Sequence, residues 1–137
     1  MWSAEHSVET TASREAVWRL WADVAGWPEW NADLARSELS GEFAPGSTIR
    51  MTSIEGETVE LTLAEVAEPE SFIDQAELGG ITVRTTHGLE EAGGRMRIVY
   101  RMEITGEDAD RVGPELGPEI GGDFPEVLAA LARRAEG

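Results

Sequence analysis

The run Val17-Trp18-Arg19-Leu20-Trp21-Ala22-Asp23-Val24-Ala25-Gly26-Trp27-Pro28-Glu29-Trp30-Asn31 holds all but one of the five tryptophans of the chain. Just upstream, the Ser13 hydroxyl can accept a free backbone N–H as an N-cap. Val17, Leu20, Trp21 and Val24 then recur at i, i+3, i+4 and i+7, one face of a helix. Gly26 is expected to close that helix in the left-handed conformation, and Pro28 holds Trp27 extended and opens a second short helix carrying Trp30 and Leu34. The expected result is two helices meeting at an elbow walled by indoles. A buried indole is more often core than ligand platform. Trp18 and Trp21 are read as core, whereas Trp27 and Trp30, beside the elbow, are in reach of a ligand's tail.

Before this run, Trp2 to Thr10 puts Trp2, Ala4, His6 and Val8 on one face and Ser3, Glu5, Ser7 and Glu9 on the other, the pattern of a half-buried strand. After it, strands are expected over 35–42, 48–53, 58–66, 71–78, 81–90 and 95–104. Pro45-Gly46, Glu55-Gly56, Glu68-Pro69-Glu70, Gly79-Gly80 and Gly93-Gly94 punctuate them. Short turns make successive strands antiparallel, and one-sided alternation leaves one face covered and one wet. The cover is the C-terminal segment, where Val112, Leu116, Ile120, Phe124, Val127, Leu128 and Leu131 form an apolar stripe on a helix. Gly113-Pro114 and Gly117-Pro118 place the start of that helix at Gly117 or Pro118, with a kink near Gly121. The fold class is α+β: a seven-stranded antiparallel meander around a long C-terminal helix, with two short helices after the first strand.

Composition narrows the function. At 137 residues the chain is one domain, without an apolar run near the length of a membrane span and without a signal-like N-terminus, so a cytoplasmic location is the expectation. Cysteine is absent and all 11 basic residues are arginine, which excludes thiolate chemistry and a lysine Schiff base. A formal charge of -16 disfavours nucleic acid and anionic membranes as partners. Two histidines without clustered carboxylates make no metal site, and the Gly-Gly pairs lie in hairpins instead of phosphate loops, so no cofactor is expected.

The pattern Val17-Trp18-x-Leu20-x-x-Asp23-Val24-x-x-Trp27-Pro28-x-Trp30-Asn31, with a strand before it and Gly46-Ser47-Thr48-Ile49-Arg50 after it, resembles the START/Bet v 1-like (SRPBCC) superfamily, and within it the polyketide cyclase/dehydrase-like branch. The resemblance spans residues 1–137 as a single domain. It implies a helix-grip fold with an apolar cavity between sheet and helix, and a hydrophobic ligand, lipid or polyketide-like, held there by a monomer or homodimer. Cyclase or dehydratase-type chemistry is the enzymatic form of that expectation. The alternative is a protein-interaction module resembling the heat-shock ATPase activator branch, docking through Arg50, Arg84, Arg95, Arg97 and Arg101 on the opposite strand parity. A solvated face paired with glutamates is the blander reading of those arginines.

Strand parity sends His6, Asp74, Thr85, His87 and Tyr100 toward the cavity. His87 and Tyr100 sit at comparable distances from the Gly93-Gly94 turn, as cross-strand or diagonal neighbours, and are the candidate catalytic pair: together they can polarise a carbonyl or move a proton. Asp74 can act as a base if buried, although its strand is an edge candidate and solvent exposure is the ordinary state of such a carboxylate. Trp27, Trp30, Met51, Leu63, Phe72, Asp74, Val83, Thr85, Met102, Leu116, Ile120, Gly121 and Phe124 are the candidate ligand-binding residues. Gly117 and Gly121 are expected to leave space between helix and sheet.

Overall fold

The computed structural model describes all 137 residues. Its seven strands form one antiparallel sheet: β1 (Trp2–Thr10), β2 (Leu34–Ser40), β3 (Thr48–Ser53), β4 (Thr58–Ala67), β5 (Ser71–Glu77), β6 (Thr82–Ala92) and β7 (Arg95–Thr105). The strands from β2 to β7 are neighbours in chain order, as a meander requires, and β1 closes onto β7 at the far edge. Gly93 and Gly94 both carry positive φ, 58° and 83°, which a two-residue hairpin turn of matching twist requires. That turn fixes the register of the longest hairpin and pairs His87 directly with Tyr100. In β4 the register shifts between Leu63 and Glu65, so Leu61, Leu63 and then Val66, three residues on, share the inner side.

Helix α1 (Arg14–Ala22) starts as expected, with the Ala16 N–H donating to the Ser13 hydroxyl at 3.1 Å. The elbow differs from expectation. Helix α1 ends at Asp23, whose N–H bonds to Arg19 O, and a 3-10 helix (Val24–Glu29) runs straight through Gly26 and Pro28. Gly26 is not left-handed, and Leu34 opens β2 instead of riding a second helix. The tighter 3-10 winding lets Trp27 and Trp30 both turn inward against the sheet. The Trp27 indole N–H donates to Trp21 O at 3.0 Å, and Ser37 on β2 donates to Val24 O at 2.5 Å.

The C-terminal helix begins earlier than the Gly-Pro pairs suggest. Helix α2 (Ala109–Gly121) includes both Pro114 and Pro118, and α3 (Phe124–Glu136) follows after a break at Gly122-Asp123, next to the kink expected near Gly121. Both prolines lie on the exposed side of α2, where the carbonyls they leave unbonded can turn to water. Gly113, Gly117 and Gly121 form the opposite, buried side. They do not leave a void. A Cβ on Gly113 or Gly117 would fall on the Trp2 indole, and one on Gly121 would lie 3.0 Å from the Met102 terminal methyl. These glycines let α2 ride down onto β1 and β7, so Gly121→Leu would overpack a filled site.

Candidate functional site

Two apolar clusters occupy the inside of the grip. The larger joins Trp18, Trp21, Trp27 and Trp30 to Ile49, Leu63, Phe72, Ile98, Leu128 and Leu131. The smaller joins Ile81, Val83, Met102 and Ile104 to Ala109, with Trp2, Val112, Leu116 and Ile120 half-buried against it. Phe124, at the start of α3, touches both. The buried polar residues Asp74, Thr85 and His87 belong to neither, and they converge on the inner face of β5 and β6.

His6, Tyr100, His87 and Phe72 form one row across four strands, paired edge to edge in register. The His87 ring stacks on Phe72 at 4.0 Å with 5° between planes, and Tyr100 stands edge-on to His87 at 4.5 Å. Phe124 meets Tyr100 edge-on at 5.5 Å and His6 at 6.1 Å. Trp21 closes the row from α1, its indole N–H donating to the Tyr100 hydroxyl at 3.2 Å. That bond leaves the Tyr100 proton free to be donated elsewhere. Burial pushes the Tyr100 hydroxyl up from the usual phenol range, so it stays protonated.

The next rung pairs Asp74 with Thr85. The edge-strand expectation for Asp74 is wrong: β5 lies between β4 and β6, and Asp74 is only 6% exposed. Burial pushes its carboxyl up to about 7, so it holds its proton below neutral pH and shares it about equally with solvent at neutrality. His87 is pushed the other way, down to about 3, by burial that outweighs the nearby Phe72 and Thr85 carbonyls. Its Nδ1 lies 3.3 Å from Phe72 O. A carbonyl only accepts, so this contact assigns the single proton of the neutral ring to Nδ1, the tautomer in which Nε2 carries the lone pair. Asp74 Oδ2 lies 3.7 Å from that Nε2. With the proton on Asp74 and a neutral ring, this contact is an acid facing a base across a gap, not an ion pair.

Of the other sequence candidates, Trp27, Trp30, Leu63, Phe72, Val83 and Met102 are buried, while Met51, Leu116, Ile120 and Phe124 are half-buried. The structure therefore brings Asp74, Thr85, His87, Tyr100 and Phe124 together over two adjacent rungs, with Trp27 reaching the row through its stack on Phe72 at 6.4 Å. A groove of about 420 Å³ opens at the end of the grip between α2 and the β5–β6 turn, with Leu78, Ile81, Val112 and Leu116 as its apolar wall. Only Leu116 among the candidate ligand residues reaches it. No group of three or more histidine or acidic side chains is placed to hold a metal. The outer face carries the arginines as expected, with Arg50 on Glu60, Arg84 on Glu65 and Arg97 on Glu90.

Sequence reasoning missed two features. Trp21 reads in the sequence as plain core, and only the docking of α1 shows it bonded to Tyr100. Asp123, at the α2–α3 break, is half-buried, and burial with the adjoining Asp33 carboxyl pushes it up to about 6. The Asp33 and Asp123 positions are remote in sequence, and no local spacing announces the pair.

No curated protein matches the chain by sequence. Solved structures match it closely in shape. A START superfamily protein from Mycobacterium smegmatis superposes with a TM-score of 0.75 at 16% identity, covering 98% of this chain and 97% of that one. Norcoclaurine synthase from Thalictrum flavum, in complex with dopamine and hydroxybenzaldehyde, gives 0.74 at 16% identity over 96% and 84% of the two chains. The di-domain ARO/CYC StfQ from the steffimycin biosynthetic pathway gives 0.76 at 12% identity, covering 98% of this chain and 50% of that one. At such identities the likeness is one of fold alone. No helix is long and apolar enough to cross a membrane. A family model described as polyketide cyclase / dehydrase and lipid transport matches residues 1–136, and the chain belongs to that family.

Proposed function

We propose that this protein binds an apolar small molecule, lipid or polyketide-like, between the α2–α3 pair and the inner face of β5–β7, and acts on it by acid–base chemistry of the cyclase or dehydratase kind. The observation that carries this reading is the placement of Asp74, His87 and Tyr100. Three buried titratable groups share one patch of a largely apolar interior, the kind of placement that perturbs protonation at functional sites. Asp74 holds a transferable proton near neutral pH, His87 Nε2 offers a lone pair beside it, and Tyr100 adds a second hydroxyl donor. This is the equipment for protonating one oxygen of a ligand while taking a proton from a neighbouring atom. The half-buried stripe of Leu116, Ile120 and Phe124 supplies an apolar wall opposite.

Native mass spectrometry of the purified protein tests binding directly. The expected result is a retained species a few hundred daltons above the bare chain. A spectrum of bare protein, both as purified and after incubation with a panel of fatty acids and polycyclic ketones, would overturn the proposal. Catalysis is tested on whichever compound is retained: Tyr100→Phe should lower turnover with little change in retention.

A further inference from the structure

The reading above leaves the ligand's polar group unspecified, and the Asp74–His87 gap narrows it. Neither the Asp74 carboxyl nor His87 Nε2 makes a hydrogen bond within the protein, yet both side chains are about nine-tenths buried, with 9% and 10% of their surface left open. Thr85 is the cross-strand partner of Asp74. Neither is among the fully enclosed polar atoms left without a partner, so both unpaired groups, of opposite character, keep open surface through which a partner can reach them. Their separation of 3.7 Å is too long for a direct bond but suits one oxygen placed about 2.8 Å from each.

We propose that Asp74 and His87 together grip a single hydroxyl of the bound molecule, Asp74 donating to its oxygen and His87 Nε2 accepting its proton, so that the ligand is a neutral apolar alcohol, enol or phenol. Other groups meet the site less well. A ketone or ether accepts from Asp74 but leaves Nε2 facing an oxygen with no proton. An ammonium has no lone pair for the Asp74 proton, and a carboxylate would bring a second acid into a site that already disfavours ionisation. Phe72, stacked flat on His87, and Trp21, hydrogen-bonded to Tyr100, fix the accepting nitrogen in place. Discrimination then comes from leaving Nε2 or Asp74 unsatisfied, which costs more than an imperfect apolar fit.

This inference rests on the chain being an apolar-ligand protein, and three probes of nearly equal shape separate the two claims. Equilibrium dialysis at pH 6, where burial keeps the Asp74 proton in place, would compare 2-naphthol, 2-methoxynaphthalene and 2-methylnaphthalene. The expected result is 2-naphthol bound roughly tenfold tighter than either of the others, the scale of one well-made hydrogen bond. Asp74→Leu should bring all three within about twofold while leaving 2-methylnaphthalene unchanged. Equal binding of all three by the native protein removes the hydroxyl grip and leaves apolar binding standing, whereas no binding of any removes both. Should Asp74→Leu fail to fold, His87→Phe, which keeps the stack on Phe72, must show the same loss of preference. A folded variant of either kind that still prefers 2-naphthol overturns the proposal.

Discussion

Asp74 and His87 are displaced in opposite directions by the same burial, and their effects on stability partly cancel. Between the ordinary Asp value of 3.8 and about 7, folded Asp74 keeps a proton that the unfolded chain has lost, so stability falls as pH rises through that window. Between about 3 and 6.5 the unfolded chain protonates His87 and the folded one does not, so stability rises with pH. Each slope is at most about 1.4 kcal/mol per pH unit. Removing one group unmasks the other. Relative to the native protein, Asp74→Asn should gain stability steadily from pH 4 to 7, while the advantage of His87→Phe should shrink from pH 3 to 6.5. Urea unfolding across that range reads both slopes, and parallel profiles for all three proteins would show that water already reaches the pair. Much of this site was legible beforehand: period-two alternation and the Gly93-Gly94 turn place Thr85, His87, Tyr100 and Met102 on one face. The burial of Asp74 was not, because a strand's own pattern does not say which strands flank it.

At the level of elements, proline carried the wrong message and glycine a half-right one. Pro114 and Pro118 read as helix breakers, yet both face water on α2, and the helix runs through them from Ala109. Sequence spacing put Gly117 and Gly121 at the edge of the apolar stripe, but only the packing of α2 on β1 shows that Trp2 takes the room beside Gly117. Gly117→Ala should therefore destabilise the fold by about 1–3 kcal/mol, although alanine is the better helix former by about 1 kcal/mol. Chemical denaturation of Gly117→Ala, alone and combined with Trp2→Ala, checks the cause: the alanine should become neutral or favourable once the indole is gone. On the outer face, Arg97 and Glu90 lie 3.8 Å apart and are largely exposed. Arg97→Ala should change stability by about 0.5 kcal/mol or less, and a larger loss would mean that something covers that face.

For the whole molecule, the formal charge of -16 is spread over a small surface, and self-repulsion works against the compact state. Raising sodium chloride from about 10 mM to 0.5 M, which shortens the screening length from about 30 Å to a few ångströms, should raise the melting temperature at pH 7.5. A fall would mean that the arginine–glutamate pairs outweigh the general repulsion. The pairing of β1 with β7 has a different consequence, one of timing. Trp2 aligns with Ile104 and Thr10 with Met96, while the Thr10 hydroxyl donates to Glu136 at 2.6 Å. During synthesis β1 leaves the ribosome before any of these partners exists, and it must stay unpaired until β7 has been made. The alternation of Ser3, Glu5, Ser7 and Glu9 with apolar residues gives that waiting segment charges that discourage pairing with another nascent chain. The strand made first is thus the last to be locked, and it is locked by both C-terminal helices at once, because α2 and α3 each rest on it.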